Sequence, residues 1–480
     1  MLSWGLLLTV VHGIIAPATA WHALLYKRDS RAAFGWIGLC LLFPLVGPVL
    51  YYLLGVNRVE HRARKMRGVP RARRFVEFER GGQRGATSGH SGADSSTHLA
   101  GLMRAAQTIT GRPLVAGNLI EPLYNGQQAY PAMLAAIEQA QRSVCLMTYI
   151  FDTDGSGTQF VDALAGAAAR GVAVHVMVDG MGEKYAWPRV SSLLARRDIT
   201  CVRFNPPTLI PPTLNVNLRN HRKILIVDGI VAFTGGMNIG DRHLVESPGS
   251  VRGTGVRDIH FQLRGPIVEQ LIEVFGDSWQ YATGRKLDMP MATHLPVGSG
   301  QCRVIADGPD ENLDQLALVL QAAVTAARRR IRVMTPYFLP PRELIACLQS
   351  AALRGVSVEI VLPHNSNLRP VHWATRNMLW ELLFYNVKVF YQQGIFSHSK
   401  LLLIDDSYAL MGSANIDPRS LRLNYELGVE IYDPGFAQAM GRHFDELLSA
   451  ARPVTLDEMD SRSLLVRTRD ALCWLFSPYL

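Results

Sequence analysis

The chain has 480 residues, 48% of them hydrophobic, which is ample for a large core and two domain-sized units and excludes a disordered or fibrous protein. A formal net charge of +9 implies attraction to polyanions: nucleic acid, an anionic membrane face or phosphate-bearing substrates. The six cysteines lack the close pairs of a zinc site and the density of a disulfide scaffold, which fits a reduced compartment.

From Ala32 to Leu54 the chain carries no Asp, Glu, Lys or Arg. As a helix this run is about 30 Å long, one bilayer core, and predicts a transmembrane span kinked by Pro44 and Pro48. Met1 to Tyr26 is equally uncharged and predicts a weaker first span over about residues 2–25, paired with a second over about 32–54. Ala18-Thr19-Ala20 resembles a signal-peptidase site, but no positive charge precedes the apolar run. Arg58, Arg62, Arg64, Lys65, Arg67, Arg71, Arg73 and Arg74 follow the second span, against Lys27, Arg28 and Arg31 between the two. By the positive-inside rule everything after residue 57 faces the cytoplasm. Residues 81–97, GGQRGATSGHSGADSST, read as a flexible tether. The expected layout is a hairpin at 1–57, and a basic segment and linker at 58–99.

The remainder repeats itself. Arg170-Gly171-Val172 and Arg354-Gly355-Val356 each follow an Ala-rich helical stretch and open an apolar run, Val172–Val178 or Val356–Leu362, that reads as a buried strand. Val144–Phe151 and Ile331–Phe338 read as the preceding strands. Strand, helix, strand in both halves predicts an α/β fold of two tandem pseudo-symmetric domains, 100–290 and 291–480, with mixed sheets flanked by helices. The register is fixed by His221-Arg222-Lys223 with Asp228 and Asn238, matched by His398-Ser399-Lys400 with Asp405 and Asn415, every member offset by 177 (398 − 221, 400 − 223, 405 − 228, 415 − 238).

Each His-x-Lys precedes four apolar residues, so the pair is expected on one face at the start of a strand, with imidazole beside ammonium. Two such pairs supply what phosphodiester chemistry needs: a nucleophile, a proton donor for the departing alkoxide, and fixed positive charge for the non-bridging oxygens. One imidazole would form a phosphohistidine and the other would act as acid and then base. Lys223, Lys400 and the amides of Asn238 and Asn415 would bind phosphate oxygens, so neither metal nor cofactor is called for. Asp258 and Glu426 are the candidates for orienting the histidines. Asp228 and Asp405 complete the catalytic motifs at the far ends of the strands, where they are expected to brace the lysine or the backbone.

With these residues the sequence resembles the phospholipase D superfamily, and within it the bacterial cardiolipin synthases. Tyr149-Ile150-Phe151-Asp152, Thr335-Pro336-Tyr337-Phe338-Leu339-Pro340 and Asn415-Ile416-Asp417-Pro418-Arg419-Ser420 carry the likeness, with Asn424 and Glu426. Asn386 in place of the usual Gly, and Ser397-His398-Ser399-Lys400, depart from it. The resemblance implies condensation of two phosphatidylglycerol molecules to cardiolipin and glycerol at a bacterial inner membrane, with His221 as nucleophile. Its partners would be anionic phospholipid and membrane, not nucleic acid. A phospholipase D hydrolase or another transphosphatidylase is the alternative, and a nuclease fits less well. Leu464–Leu480 reads as either an interfacial amphipathic segment or a packed terminal helix.

Overall fold

The computed structural model describes residues 4–27, 30–43, 45–55, 97–209, 212–213, 218–245, 255–289, 295–310 and 312–477. These fall into two compact units, 1–68 and 69–480. The basic segment and tether expected at 58–99 lie outside the described residues up to 96.

The first unit contains α1 (Trp4–Tyr26), α2 (Ser30–Leu42), α3 (Val46–Leu50) and a π-helical turn, Tyr51–Gly55. The uncharged run 32–54 is therefore not the single kinked helix expected. It breaks between Leu42 and Val46, with Leu45 at φ +62°. Prolines at 44 and 48 explain this, since each lacks the N–H that an unbroken helix would use. Gly47 allows α3 to fold back on α2: a Cβ there would lie 2.2 Å from the Leu39 carbonyl oxygen. Tyr51 closes the unit, 2.8 Å from His22 Nδ1 and edge-on to Trp36. Among the described residues no helix is long and apolar enough to cross a membrane.

The second unit is built on one large mixed sheet. Its N-terminal strands are β1 (Val115–Tyr124), β2 (Ser143–Thr148), β3 (Ala173–Asp179), β4 (Cys201–Phe204), the short pair β5 (Thr208–Leu209) and β6 (Pro212–Thr213), β7 (Ile224–Val227), β8 (Val231–Gly235), β9 (Val256–Arg257) and β10 (Ile259–Arg264). The C-terminal strands are β11 (Gly300–Asp307), β12 (Arg330–Met334), β13 (Ser357–Pro363), β14 (Lys388–Gln392), β15 (Phe396–Ser397), β16 (Leu401–Ile404), β17 (Tyr408–Gly412), β18 (Glu426–Tyr432) and β19 (Ala451–Pro453). Across the sheet the order is β4-β3-β2-β7-β8-β10-β1 and then β11-β18-β17-β16-β12-β13-β14-β19. Read outward from the antiparallel β1–β11 pair, the two halves follow the same order as far as β4 and β14, and β19 adds an edge strand to the second half.

The repeated motifs explain this order. β2–β3 and β12–β13 are parallel pairs buried on both faces, as their continuous apolar runs require. The helices crossing between them, Gly155–Ala169 and Arg342–Leu353, are followed by Gly171 and Gly355 at φ +85° and +87°. The repeated Arg-Gly-Val is thus a helix stop followed by a strand start. Asn386, where a glycine is usual, adopts φ +63°, a conformation Asn tolerates better than other side chains. Helices cover the outer face of each half-sheet, while Ile267–Thr283 and Pro434–Ser449 pack into a core drawn from both halves.

Candidate active site

The two motifs meet where the halves face each other. The strands β7 and β16 begin only after the lysines, so His221, Lys223, His398 and Lys400 lie on the extended lead-in segments and not within the strands as expected. Each lead-in is held by the other half of the chain. The N–H of His221 donates to the Tyr425 carbonyl at 2.9 Å, and that of His398 to the Arg257 carbonyl at 2.7 Å. These acceptors immediately precede Glu426 and Asp258, which places each carboxylate against the opposite histidine. His221 Nδ1 lies 3.1 Å from Glu426 Oε2 and 3.2 Å from the Ser413 carbonyl, while His398 Nδ1 lies 2.9 Å from Asp258 Oδ2. The exchange across the halves has no sequence signal, because the carboxylates are offset by 168 (426 − 258) and not 177.

Carbonyl and carboxylate oxygens only accept, so Nδ1 of His221 carries its proton and Nε2 holds the lone pair. Nδ1 of His398 lies between the Asp258 carboxylate and Lys400 Nζ, 3.0 Å away. Lys400 and Lys223 also donate to the carbonyls of His398 and His221, the latter at 2.6 Å. Both side chains are buried, and burial with the mutual repulsion of two ammonium groups lowers Lys223 to about 7. Burial likewise lowers Lys400 to about 8. His398 falls to about 4, through burial and then the adjacent Lys400, against the pull of Asp258. His221 is lowered too, chiefly by burial, with Glu426 opposing. Burial would raise both carboxyls, but the histidines and lysines outweigh it and hold Asp258 and Glu426 below their ordinary values. The site in its free state is a pair of neutral imidazoles, two anchored carboxylates and two ammonium groups that are readily titrated.

Asp228 and Asp405 touch no part of this cluster. Asp228 accepts from the backbone N–H groups of Gln141, Arg142 and Ser143, and Asp405 from those of Arg328, Arg329 and Arg330, all within 2.9 Å. Both sit in the left-handed region, φ +54° and +51°, followed by Gly229 at +68° and Asp406 at +56°. That is the chemistry of a tight hairpin turn, and it lies about 16 Å along the strand from the lysines. Their place in the motif is structural.

The asparagines behave unequally. Asn238 Oδ1 accepts from the Ile150 N–H at 3.2 Å, which turns its NH₂ group away from that backbone. Asn415 Nδ2 donates to Ser420 Oγ at 3.2 Å while its buried Oδ1 has no partner. Turning that amide by 180° gives the oxygen the Ser420 hydroxyl and frees the NH₂, so the expected donor role needs the flipped orientation. The glycines before them serve close packing. A Cβ on Gly236 would lie 2.8 Å from Asp258 Oδ2, and one on Gly412 2.0 Å from the Leu427 carbonyl oxygen.

Several residues here were not singled out from sequence. Ser413, the counterpart of Gly236 in the repeat (413 − 236 = 177), donates its hydroxyl to Glu426 and receives the Leu427 N–H at 3.0 Å. Arg222, the middle residue of the first motif, is buried and donates to the carbonyls of Glu426 (3.0 Å) and Asp307 (2.8 Å) and to Ser278 Oγ (3.0 Å). It ties the first lead-in to the second half. Tyr149 and Tyr337, from the segments that carry the family likeness, line the cluster, their ring centroids 5.0 Å from His221 and 6.4 Å from His398. Only a comparison of x positions within the motif, Arg222 against Ser399, could have pointed to Arg222.

This fold and this paired site define the class: an α/β protein of tandem phospholipase D-like domains. Residues 133–249 and 320–448 match the family model described as cardiolipin synthase, PLD-like domain, and residues 14–55 match that described as phospholipase D-nuclease N-terminal. The chain is 30% identical over 479 residues to cardiolipin synthase A of Pseudomonas putida, covering 99% of this chain and 98% of that one. It is 29% identical over 484 residues to a cardiolipin synthase of Geobacillus kaustophilus, with 99% and 95% covered. Among solved structures, phosphatidylserine synthase of Haemophilus influenzae superimposes with a TM-score of 0.60 at 15% identity, over 79% of this chain and all of that one, a likeness of fold. The chain belongs to the cardiolipin synthase family of phospholipase D-like proteins.

Proposed function

We propose that the protein is a phosphatidyltransferase of the phospholipase D type that makes cardiolipin from phosphatidylglycerol. The observation that carries this reading is the exchanged pairing, His221 with Glu426 and His398 with Asp258, which leaves Nε2 of both imidazoles available to one phosphodiester. Nε2 of His221 attacks phosphorus, and the bond from phosphorus to the glycerol oxygen breaks as His398, which takes up a proton when the anionic phosphodiester binds, gives that oxygen its proton. The glycerol of a second phosphatidylglycerol then returns a proton to His398 as its oxygen attacks, and the phosphorus–nitrogen bond breaks.

The roles follow from the two Nδ1 environments. His221 faces only acceptors, which keeps its proton on Nδ1 and its lone pair on Nε2, as a nucleophile needs. His398 faces a carboxylate and an ammonium, between which a proton can be passed, as an imidazole that alternates between acid and base needs. Lys223 and Lys400, with the amides of Asn238 and Asn415, neutralise the non-bridging oxygens. The N-terminal helices anchor the enzyme at a bacterial inner membrane, with the partition near residue 290 separating two duplicated catalytic domains.

The test is mass-spectrometric product analysis of the full chain with phosphatidylglycerol vesicles, with and without phosphatidylethanolamine. Cardiolipin and glycerol in equal amounts are expected, and lost in His221→Ala and His398→Ala. Phosphatidic acid without cardiolipin would identify a hydrolase instead.

A further inference from the structure

The C-terminal helix, Leu464–Leu475, is arranged against the usual rule for a helix on a water-exposed surface. Its inward stripe carries Asp470, which is fully buried and held by Arg462 at 2.8 Å, Arg469 at 2.6 Å and Arg376 at 3.6 Å. Cys473 and Trp474 pack against the hydrophobic core. Its outward stripe is apolar: Leu464, Leu465, Leu472, Leu475 and Phe476 are each more than half exposed, Leu465 to 83%. Positions 465, 468, 472 and 475 recur with the helical period, so these side chains share one face. The helix spends its only carboxylate internally against three guanidinium groups, and Arg467 remains exposed.

The support beneath this helix leads to the active site. It packs on the helix Arg369–Leu383, where Arg469 lies over the Trp373 ring at 4.3 Å. That second helix ends in exposed Trp380, Phe384 and Tyr385, side chains suited to a membrane–water interface. Just before it starts, Asn367 accepts from the Tyr337 hydroxyl at 2.7 Å, and Tyr337 lines His398. Thr375 of the same helix donates to the Phe338 carbonyl at 2.9 Å.

We infer that the outward face of Leu464–Leu475, with Phe476, is a docking surface that seats the catalytic unit on an anionic phospholipid bilayer, separately from the N-terminal helices. Leucines enter the acyl boundary, the aromatic end of the supporting helix lies at headgroup level, and the exposed Arg467 meets anionic headgroups. A rigid contact of this kind holds the His398 side of the site at the lipid surface. This inference rests on the phosphatidylglycerol reading of the substrate.

The test uses the full chain in phosphatidylglycerol-containing nanodiscs, on a background in which the partly exposed Cys201, Cys347 and Cys473 are alanine and activity is retained. An environment-sensitive fluorophore is placed through Leu472→Cys or, as control, through Ile230→Cys in the β7–β8 turn, which is 55% exposed. Brominated acyl chains are expected to quench the label at 472 at least about threefold more than that at 230. The variant L465S/L472S/L475S/F476S is expected to raise KM for bilayer phosphatidylglycerol about fivefold or more with kcat and thermal stability kept. An unquenched label at 472, equal quenching at both positions, or an unchanged KM would overturn the inference. So would a dimer in detergent that the quadruple variant splits, because the occupant of the face would then be a second copy. Quenching at 472 without cardiolipin synthesis would instead refute the substrate reading.

Discussion

The residues most diagnostic of mechanism are the two carboxylates, because each serves the histidine of the other half. Glu426→Gln and Asp258→Asn keep the shape and a hydrogen bond but remove the charge that steadies an imidazolium or phosphohistidine, so kcat should fall about 10²- to 10³-fold with little change in KM. Steady-state kinetics on mixed vesicles would check this, and equal losses in KM would argue for a binding role. The pH profile follows from the same cluster. With His221 lowered chiefly by burial, the nucleophile stays neutral below the ordinary histidine range, so the acid limb of kcat/KM should lie below that range, while His398, lowered to about 4 in the free site, takes up its proton together with the anionic substrate. With Lys223 at about 7 and Lys400 at about 8, free enzyme loses phosphate-binding charge as pH rises through that window. The alkaline limb of kcat/KM should therefore fall there. A bound phosphodiester favours the ammonium forms, which moves the limb of kcat to higher pH. Identical limbs for kcat and kcat/KM would contradict the lysine assignment.

At the scale of elements, the motif aspartates are hairpin residues. Asp228→Ala or Asp405→Ala removes three charge-assisted backbone hydrogen bonds and a side chain that tolerates positive φ, a loss of about 2–4 kcal/mol, with kcat in the surviving fold changed less than about tenfold. Chemical denaturation and kinetics of the same variants would check this, and a 10³-fold loss of kcat at unchanged stability would restore them to the catalytic set. Arg303 on β11 pairs with Glu430 on β18 at 2.9 Å, both fully buried. Arg303→Met leaves that carboxyl without its partner and should cost about 3–5 kcal/mol, whereas the double variant with Glu430→Leu should recover much of the loss.

These elements also show what could be read from sequence. Val144–Phe151 and Ile331–Phe338 predicted strands that in the structure stop at Thr148 and Met334. There the chain turns to form the isolated bridges Phe151–Ile239 and Phe338–Ile416 that bring the asparagine loops to the site. Apolar periodicity located the strands but carries no information about where a loop leaves the sheet. The absence of charge in the run 32–54 predicts one kinked helix, but its two prolines divide it into separate helices. The offset of 177 points to the paired His and Lys residues that the structure brings together. It was silent on the exchange of Asp258 and Glu426, which arises from pairing of the lead-ins across the halves.

Across the whole molecule, the site exists only where the halves are joined. The β1–β11 pair makes one sheet of the two halves, the short parallel pair β9–β15 carries Arg257 to Ser397, and Arg222 crosses to Asp307 and Glu426. Arg222→Met should cost about 3 kcal/mol by leaving two buried carbonyls unsatisfied, and should also displace Glu426 from His221. The expected sign is lower stability together with lower kcat, which Arg222→Lys cannot fully restore because one ammonium does not span three acceptors.

The most direct test of one composite site with divided roles is to trap the covalent intermediate. Full-length protein is incubated with phosphatidylglycerol under conditions that deplete the lipid acceptor, quenched under alkaline conditions, and its peptides mapped by mass spectrometry. A phosphatidyl adduct is expected on the peptide containing His221, absent from His221→Ala and from any peptide containing His398. An adduct on His398, or cardiolipin synthesis at full rate with no histidine adduct on either peptide, would contradict that assignment.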